Sequence, residues 1–167
     1  MQIERIVIKN FKSIREMEIG EIESALILVG RNNTGKTSVV DALRAVFGLY
    51  KVTEKDFNIK KQNIEIGLTL KLTREDLEHL HRQGRVSVYK RYDVWEKDFY
   101  AKLPSCEDGR LSFTCTINWK GDVRYSDGFR KHNPKIQEIF PRVYYIDTDR
   151  RLSQFQEDLL MFREDVQ

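Results

Sequence analysis

An eight-residue stretch near the start of the chain constrains the fold more than any other feature. It runs from Gly30 to Thr37, reads Gly-Arg-Asn-Asn-Thr-Gly-Lys-Thr, and fits the pattern G-x-x-x-x-G-K-[ST] at every fixed position. The apolar run 25–29 precedes it and indicates a strand buried on both faces. Apolar residues at helical spacing follow it, with Asp41 and Arg44 predicted on the opposite, polar face and Gly48 where a helix C-cap is expected. The motif therefore lies between a strand and a helix, as a phosphate-binding loop requires.

The loop predicts nucleotide binding through its backbone and a few side chains. Its two glycines can adopt conformations closed to other residues, so that successive N–H groups face phosphate oxygens at a helix N-terminus. Lys36 is placed to reach the β and γ phosphates, and the Thr37 hydroxyl to bind Mg²⁺, which prefers oxygen ligands. The Ser38 hydroxyl adds a contact to an inner phosphate. The predicted nucleotide-binding residues, with Thr37 also as the metal ligand, are Gly30, Asn32, Asn33, Thr34, Gly35, Lys36, Thr37 and Ser38.

Length and composition limit the class of protein. The chain has 167 residues, of which 40% are hydrophobic and 33% charged, and a net charge of +3, which suits one globular domain or one lobe of a larger one. Basic residues are concentrated in 1–15 and 120–151, and two interpretations stay open: a phosphate-contacting surface, or ordinary solvated charge. No charged leader opens the chain and no apolar run approaches the ~20 residues that span a bilayer. We therefore expect a cytoplasmic protein with no membrane partner.

The remaining pattern predicts an α/β fold in which the loop follows two or three strands. A turn at Lys12 and Ser13 separates the first two strands, residues 64–72 alternate as a half-buried strand, and a capping box at Thr73 begins a short helix. The middle third is predicted to be an antiparallel meander, with the aromatic residues between 89 and 125 among its strands. The other predicted elements are strands over 86–94, 98–103, 111–118, 123–126 and 143–146, a helix after Asn133-Pro134 that Pro141 ends, and a final helix from Ser153.

These residues resemble a known family. The opening Asn10-Phe11-Lys12-Ser13 turn and a loop of the form G-x-N-x-x-G-K-[ST] are similar to the N-terminus of ABC-type P-loop ATPases of the RecF, SMC and OLD group, and the doubled asparagine resembles OLD-family proteins most. The strong match covers residues 1–48. It implies that the chain is the N-terminal lobe of an ATPase head, with a mixed core sheet and an antiparallel β subdomain. By this likeness we divide the chain into 1–50 (opening strands, loop and helix), 51–130 (antiparallel subdomain) and 131–167 (return strand and start of a helical lobe or arm).

The same resemblance implies what such a head binds. It would bind ATP and Mg²⁺, pair with a second head as a homodimer, and use hydrolysis to change its grip on DNA or on an attached effector such as a nuclease. Lys12 in the opening turn would approach the nucleotide, or else be an exposed lysine in a hairpin turn. The biological setting implied is DNA repair or phage defence.

The chain departs from this family in the groups that drive hydrolysis. It contains no Ser-Gly-Gly of a signature helix, and the apolar strand 143–146 ends in Asp147-Thr148 where the family has Asp-Glu. Two interpretations stay open: the strand leads into a glutamine loop carrying Gln154 or Gln156, or Asp147 is itself the acid that holds Mg²⁺. Catalytic residues therefore remain unassigned, and we predict ATP binding without efficient turnover. The alternatives are a nucleotide-gated dimerisation module without turnover and an unrelated small P-loop NTPase that uses Asp147.

Overall fold

One antiparallel sheet organises the part of the chain that the computed structural model describes, residues 1–23 and 35–141. Its strands are β1 (Gln2–Phe11), β2 (Ile14–Ile19), β3 (Ile64–Lys71), β4 (Cys106–Glu107), β5 (Arg110–Ile117) and β6 (Val123–Ser126). The strand order is β2-β1-β3-β5-β4, and β6 also pairs with β5. Four helices accompany them: α1 (Lys36–Val46), α2 (Arg74–Arg82), α3 (Tyr92–Lys102) and α4 (Lys135–Glu138), with a 3-10 turn at Glu54–Asp56.

The sheet has one apolar face and one polar face because its strands alternate with period two. On β3, residues 64, 66, 68 and 70 are at most 2% exposed, while Glu65 and Lys71 face solvent. Helix α1 packs against the apolar face at β1 and β3. The buried core on this side includes Ile6, Ile8, Phe11, Val39, Ala42, Val46, Ile64, Ile66, Leu68, Leu111, Phe113, Cys115 and Ile117.

The sequence predicted several element ends correctly because these carry capping or turn residues. Thr73 and Asp76 form the capping box that begins α2, each side chain bonded to the other residue's backbone N–H. Gly109 and Gly121 have positive φ angles in the β4–β5 and β5–β6 turns, and Gly48 follows the C-cap of α1 with φ 75°.

The strands predicted over 86–94 and 98–103 are wrong. Residues 92–102 form α3, where Trp95 and Phe99 lie one turn apart and are both fully buried. Helical spacing therefore places the two large rings on one face that packs against α2 and the core. Tyr92, Trp95 and Tyr100 accordingly lie on a helix and not among strands.

Candidate functional site

The described part of the predicted phosphate loop begins at Gly35, the last glycine of the motif. Lys36 begins α1, and the structure describes its backbone only. Thr37 is exposed in the first turn, and Ser38 is 7% exposed. Four of the predicted binding residues lie outside the described residues: Gly30, Asn32, Asn33 and Thr34.

The N-terminus of α1 is suited to an anion. Gly35 occupies the N-cap position with φ 89° and ψ 0°, which favours glycine, and a glycine has no side chain with which to cap the helix. No acidic residue lies in the first turn. The first N–H groups of an α-helix have no intrahelical partner and carry the positive end of its dipole. The N-terminus of this eleven-residue helix is suited to a phosphate group and its Mg²⁺. Thr37 is exposed in the first turn, where its hydroxyl could bind the metal.

The turn between β1 and β2 lies directly over this helix end. The hydroxyls of Ser13 and Ser38 are 3.4 Å apart. A Cβ atom added at Gly35 would lie 4.0 Å from side-chain atoms of Ser13, Ile14 and Met17. The opening hairpin therefore lies beside Gly35 and the first turn of α1, and the position of its turn limits the space there.

A buried carboxylate joins this turn to the helix. Asp41 on α1 accepts a hydrogen bond from Lys12 Nζ at 2.6 Å and another from Arg44 at 3.1 Å, and its side chain is only 8% exposed. The Lys12 ammonium also lies 4.8 Å from the centre of the Tyr50 ring. Burial alone would lower the pKa of Lys12, but the hydrogen bonds and charges of Asp41 and Tyr50 raise it above its ordinary value. The lysine is thus a charged tie between turn and helix.

The turn is held from its other side by the segment that follows α1. Asn10 has φ 61°, and its amide donates to the carbonyls of Ile59 and Gln62 at 3.1 and 3.0 Å. The backbone N–H of Lys12, itself at φ 51°, donates to the Asp56 carbonyl at 2.6 Å. This explains the asparagine of the opening motif, which satisfies loop carbonyls and tolerates the left-handed conformation.

The structure corrects the prediction that Asp41 and Arg44 lie on a polar helix face. Asp41 is buried, and the cation that allows this, Lys12, comes from 29 residues earlier in the chain. Sequence analysis missed Asp41 as part of the site, because the helix around it is polar (Ser38 and Arg44 share its face) and the partner that accompanies its burial, Lys12, is distant in sequence. The alternative that Lys12 is a freely exposed turn residue is also wrong, since its side chain is 26% exposed.

Other predicted features are located as follows. In the basic stretch 1–15, Arg5, Lys9 and Lys12 pair with carboxylates within the chain. The predicted strand 143–146, Asp147, Thr148, Gln154, Gln156 and the helix from Ser153 lie outside the described residues. Within residues 1–23 and 35–141 there is no metal-binding group of three or more His, Cys, Asp or Glu side chains. The same part of the chain has no helix able to cross a bilayer.

Comparison with known proteins gives two findings. Residues 1–158 match the family described as AAA ATPase domain. A solved structure from work on SMC ATPases superposes with a TM-score of 0.60 at 15% identity, covering 99% of this chain and 99% of that chain. Among curated proteins none matches. The structural likeness confirms the predicted fold, an α/β P-loop ATPase head with an antiparallel sheet.

Proposed function

Because this chain belongs to the family of AAA ATPase domains, we propose that it binds ATP with Mg²⁺ at the N-terminus of α1 and works as one lobe of a paired ATPase head. Membership of the family, with the SMC-type fold, confirms the resemblance to ABC-type ATPases of the RecF, SMC and OLD group. The closer likeness to OLD-family proteins stays a prediction, as do the division at residues 50 and 130 and the cytoplasmic location.

The observation that carries the proposal is the start of α1 beside the β1–β2 turn. Gly35 supplies no side-chain cap and the first turn of α1 has no acidic residue, so the backbone N–H groups of this turn are suited to attract and orient phosphate oxygens. We assign the phosphates to Gly30, Asn32, Asn33, Thr34, Gly35, Lys36, Thr37 and Ser38, and the metal to Thr37. Bound Mg²⁺ would neutralise phosphate charge there. The side chains of Ser13, Ile14 and Met17 border Gly35 on one side of that site.

We further propose that a second head completes the site. The solved structure of similar fold belongs to work on "ATP-driven dimerization and DNA stimulated activation of SMC ATPases". ATP-driven dimerisation also fits this chain, which holds a phosphate loop but no signature Ser-Gly-Gly. Ground-state contacts to phosphate give affinity, whereas groups that act in the transition state give rate. A lobe without those groups therefore binds ATP and turns it over slowly. In the whole protein the head would regulate an attached nuclease or DNA-binding effector, in DNA repair or phage defence.

The test measures mass and turnover together. Light scattering after gel filtration gives the molar mass of the chain with Mg-ATP, with Mg-ADP and without nucleotide, while a coupled assay follows phosphate release. We expect ATP binding with release below one turnover per binding site over an hour. Sustained release that Asp147→Asn abolishes would show that the chain hydrolyses ATP by itself and overturn the assignment as an incomplete lobe. In the full-length protein, dimers formed with ATP but not with ADP, without phosphate release, would favour the nucleotide-gated module.

A further inference from the structure

A second charged surface lies away from the α1 site, between α2 and α3. Residues 82–91 read Arg-Gln-Gly-Arg-Val-Ser-Val-Tyr-Lys-Arg, with four basic residues and no acidic one. We call this segment the basic tip. Sequence analysis took part of it for a strand, so its charge was not singled out there.

The backbone of the basic tip is strained at a buried residue. Val86 has φ 68°, a left-handed conformation that is rare for a β-branched side chain, and it is only 2% exposed. The Ser87 N–H donates to the Arg85 carbonyl at 2.7 Å, which closes a three-residue turn around Val86. Such conformations are costly for a β-branched residue and persist only where the surroundings fix them.

Contacts from three helices fix this turn. The Val86 N–H donates to a carboxylate oxygen of Glu138 in α4 at 2.8 Å. The Trp95 indole of α3 donates to the Arg85 carbonyl at 2.9 Å. His81 of α2 bonds through Nε2 to the Tyr89 carbonyl at 2.8 Å.

Ser87 ties the turn to α3 a second time. Its hydroxyl donates to Asp98 and accepts a hydrogen bond from Lys102 Nζ at 2.6 Å. These hydrogen bonds therefore fix the conformation of the basic tip in the absence of a partner.

The basic tip presents an apolar apex, Val88 and Tyr89, between cationic side chains. Val88 is 83% exposed and Tyr89 is 44% exposed, so neither side chain is explained by packing in the core. Arg82 and Arg85 precede the apex, Lys90 and Arg91 follow it, and all four are exposed.

The acidic groups around the tip are already neutralised. Glu78 pairs with Arg74, Asp93 with Arg91, and Asp98 with Lys102, each within one helical turn or less. Arg85 donates to the backbone carbonyl of Glu138, whose carboxylate pairs with Lys135, and Arg85 has no salt bridge within residues 1–23 and 35–141. The positive charge of the tip thus faces outward, unlike that of residues 1–15, where Arg5, Lys9 and Lys12 pair with carboxylates. The remaining exposed charge belongs to Arg82, Arg85 and Lys90.

We propose that the basic tip is a contact surface for duplex nucleic acid, with Val88 and Tyr89 at the groove and the flanking cations on the phosphates. An apolar apex with cations on both sides matches a groove walled by two phosphate strands. A preorganised tip loses little conformational entropy on binding. The proposal rests on the proposed function, in which the head works with an attached nuclease or DNA-binding effector and therefore close to a nucleic acid.

The test uses fluorescence anisotropy of a fluorescein-labelled 24-base-pair duplex, titrated with the chain between 0.05 and 0.3 M KCl, with and without Mg-ATP. The test variant is Arg82→Gln with Lys90→Gln. The matched control, Lys55→Gln with Lys60→Gln, removes two exposed lysines elsewhere in the described chain. Losing two phosphate contacts makes the slope of log K against log salt less negative by about 1.8. If parent and variant have equal affinity at 1 M salt, this corresponds to a roughly 60-fold loss of affinity at 0.1 M.

A second variant probes the apex. Val88→Glu places a negative charge at a fully open position and should weaken duplex binding at least as much, while the affinity for a fluorescent ATP analogue stays unchanged in every variant. Equal losses in the test and control pairs would overturn the proposal and leave the ATP-binding function standing. Poly-L-glutamate competing as well as the duplex at equal charge would overturn it in favour of an acidic protein partner. A parent chain that binds no duplex at any salt or nucleotide condition would refute the nucleic-acid part of the proposed function itself.

Discussion

Replacing Asp41 tests how the opening turn is tied to the helix of the phosphate loop. Asp41→Asn keeps the shape of the side chain and removes its charge, so that Lys12 loses the carboxylate that it contacts at 2.6 Å. Removing one partner of a fully buried ion pair costs about 3–5 kcal/mol. Here the Lys12 and Arg44 side chains are 26% and 27% exposed and can turn towards water. We therefore expect a loss of about 2 kcal/mol in the free energy of unfolding.

Urea unfolding at pH 7, followed by tryptophan fluorescence, measures this loss. Trp95 is fully buried and reports on the core. With a slope of about 2 kcal/mol per molar urea, the midpoint falls by about 1 M. Glu16→Gln is the control, because it breaks a surface pair with Lys9 at 3.7 Å whose side chains are 72% and 47% exposed. Such pairs contribute about 0.5 kcal/mol or less.

A double-mutant cycle assigns the effect to the pair. Lys12→Met should destabilise the parent, yet cost clearly less in the Asp41→Asn background. Since the pKa of Lys12 is raised in the folded state, the contribution is fully present below the ordinary lysine pKa and is lost only as the pH rises through the folded value. If Asp41→Asn shifts the midpoint no more than Glu16→Gln does, the charged tie between turn and helix is refuted.

Three further changes follow from other contacts. Asp76→Asn keeps an acceptor for the capping box of α2 but removes the negative charge that pairs with the N-terminal amino group at 2.6 Å, and in the urea assay it should cost about 1 kcal/mol at neutral pH. Burial opposes ionisation of Asp76, but the N-terminal amino group and Thr73 outweigh it and hold the pKa of Asp76 below its usual value. The stabilisation is therefore present above the ordinary carboxyl pKa, and the difference from wild type vanishes as the pH falls through the lowered one. Gly109→Ala should cost about 2 kcal/mol in the same urea assay, because the added Cβ would meet the Leu72 carbonyl oxygen at 3.0 Å in a residue with φ 72°; a neutral result would contradict the turn geometry. Burial raises the pKa of the Cys115 thiol to about 12, so Ellman's reagent at pH 8 should leave it unmodified until urea is added, and rapid reaction of the native chain would show that β5 is open.

The sequence predicted the parts of the fold in which local signals and packing agree. The alternation of 64–72 gave β3, and the box at Thr73 gave the start of α2. Helix α3 was missed because its valine and aromatic side chains have high strand propensity. Burial of Trp95 and Phe99 on one face outweighs that preference, and a contact of this kind is set by the rest of the fold.

The motif of the site can be read from the sequence, but its surroundings cannot. The loop pattern predicts Gly35, Thr37 and Ser38 as binding residues from residue types alone, since backbone conformation and hydroxyl chemistry are local, and this assignment stays a prediction. The pairing of Asp41 with Lys12 joins residues 29 positions apart, and one sequence gives no measure of that proximity. The exposed apex of the basic tip depends in the same way on α4, which lies about fifty residues further along the chain.

The central claim, ATP binding at the start of α1, is tested most directly by titrating the chain and its Lys36→Ala variant with a fluorescent ATP analogue and Mg²⁺. Unlabelled ATP and GTP serve as competitors, and circular dichroism confirms that the variant is folded. The account predicts saturable binding by the parent that ATP competes away and no measurable binding by Lys36→Ala. Equal affinity of the two proteins for the analogue would contradict it.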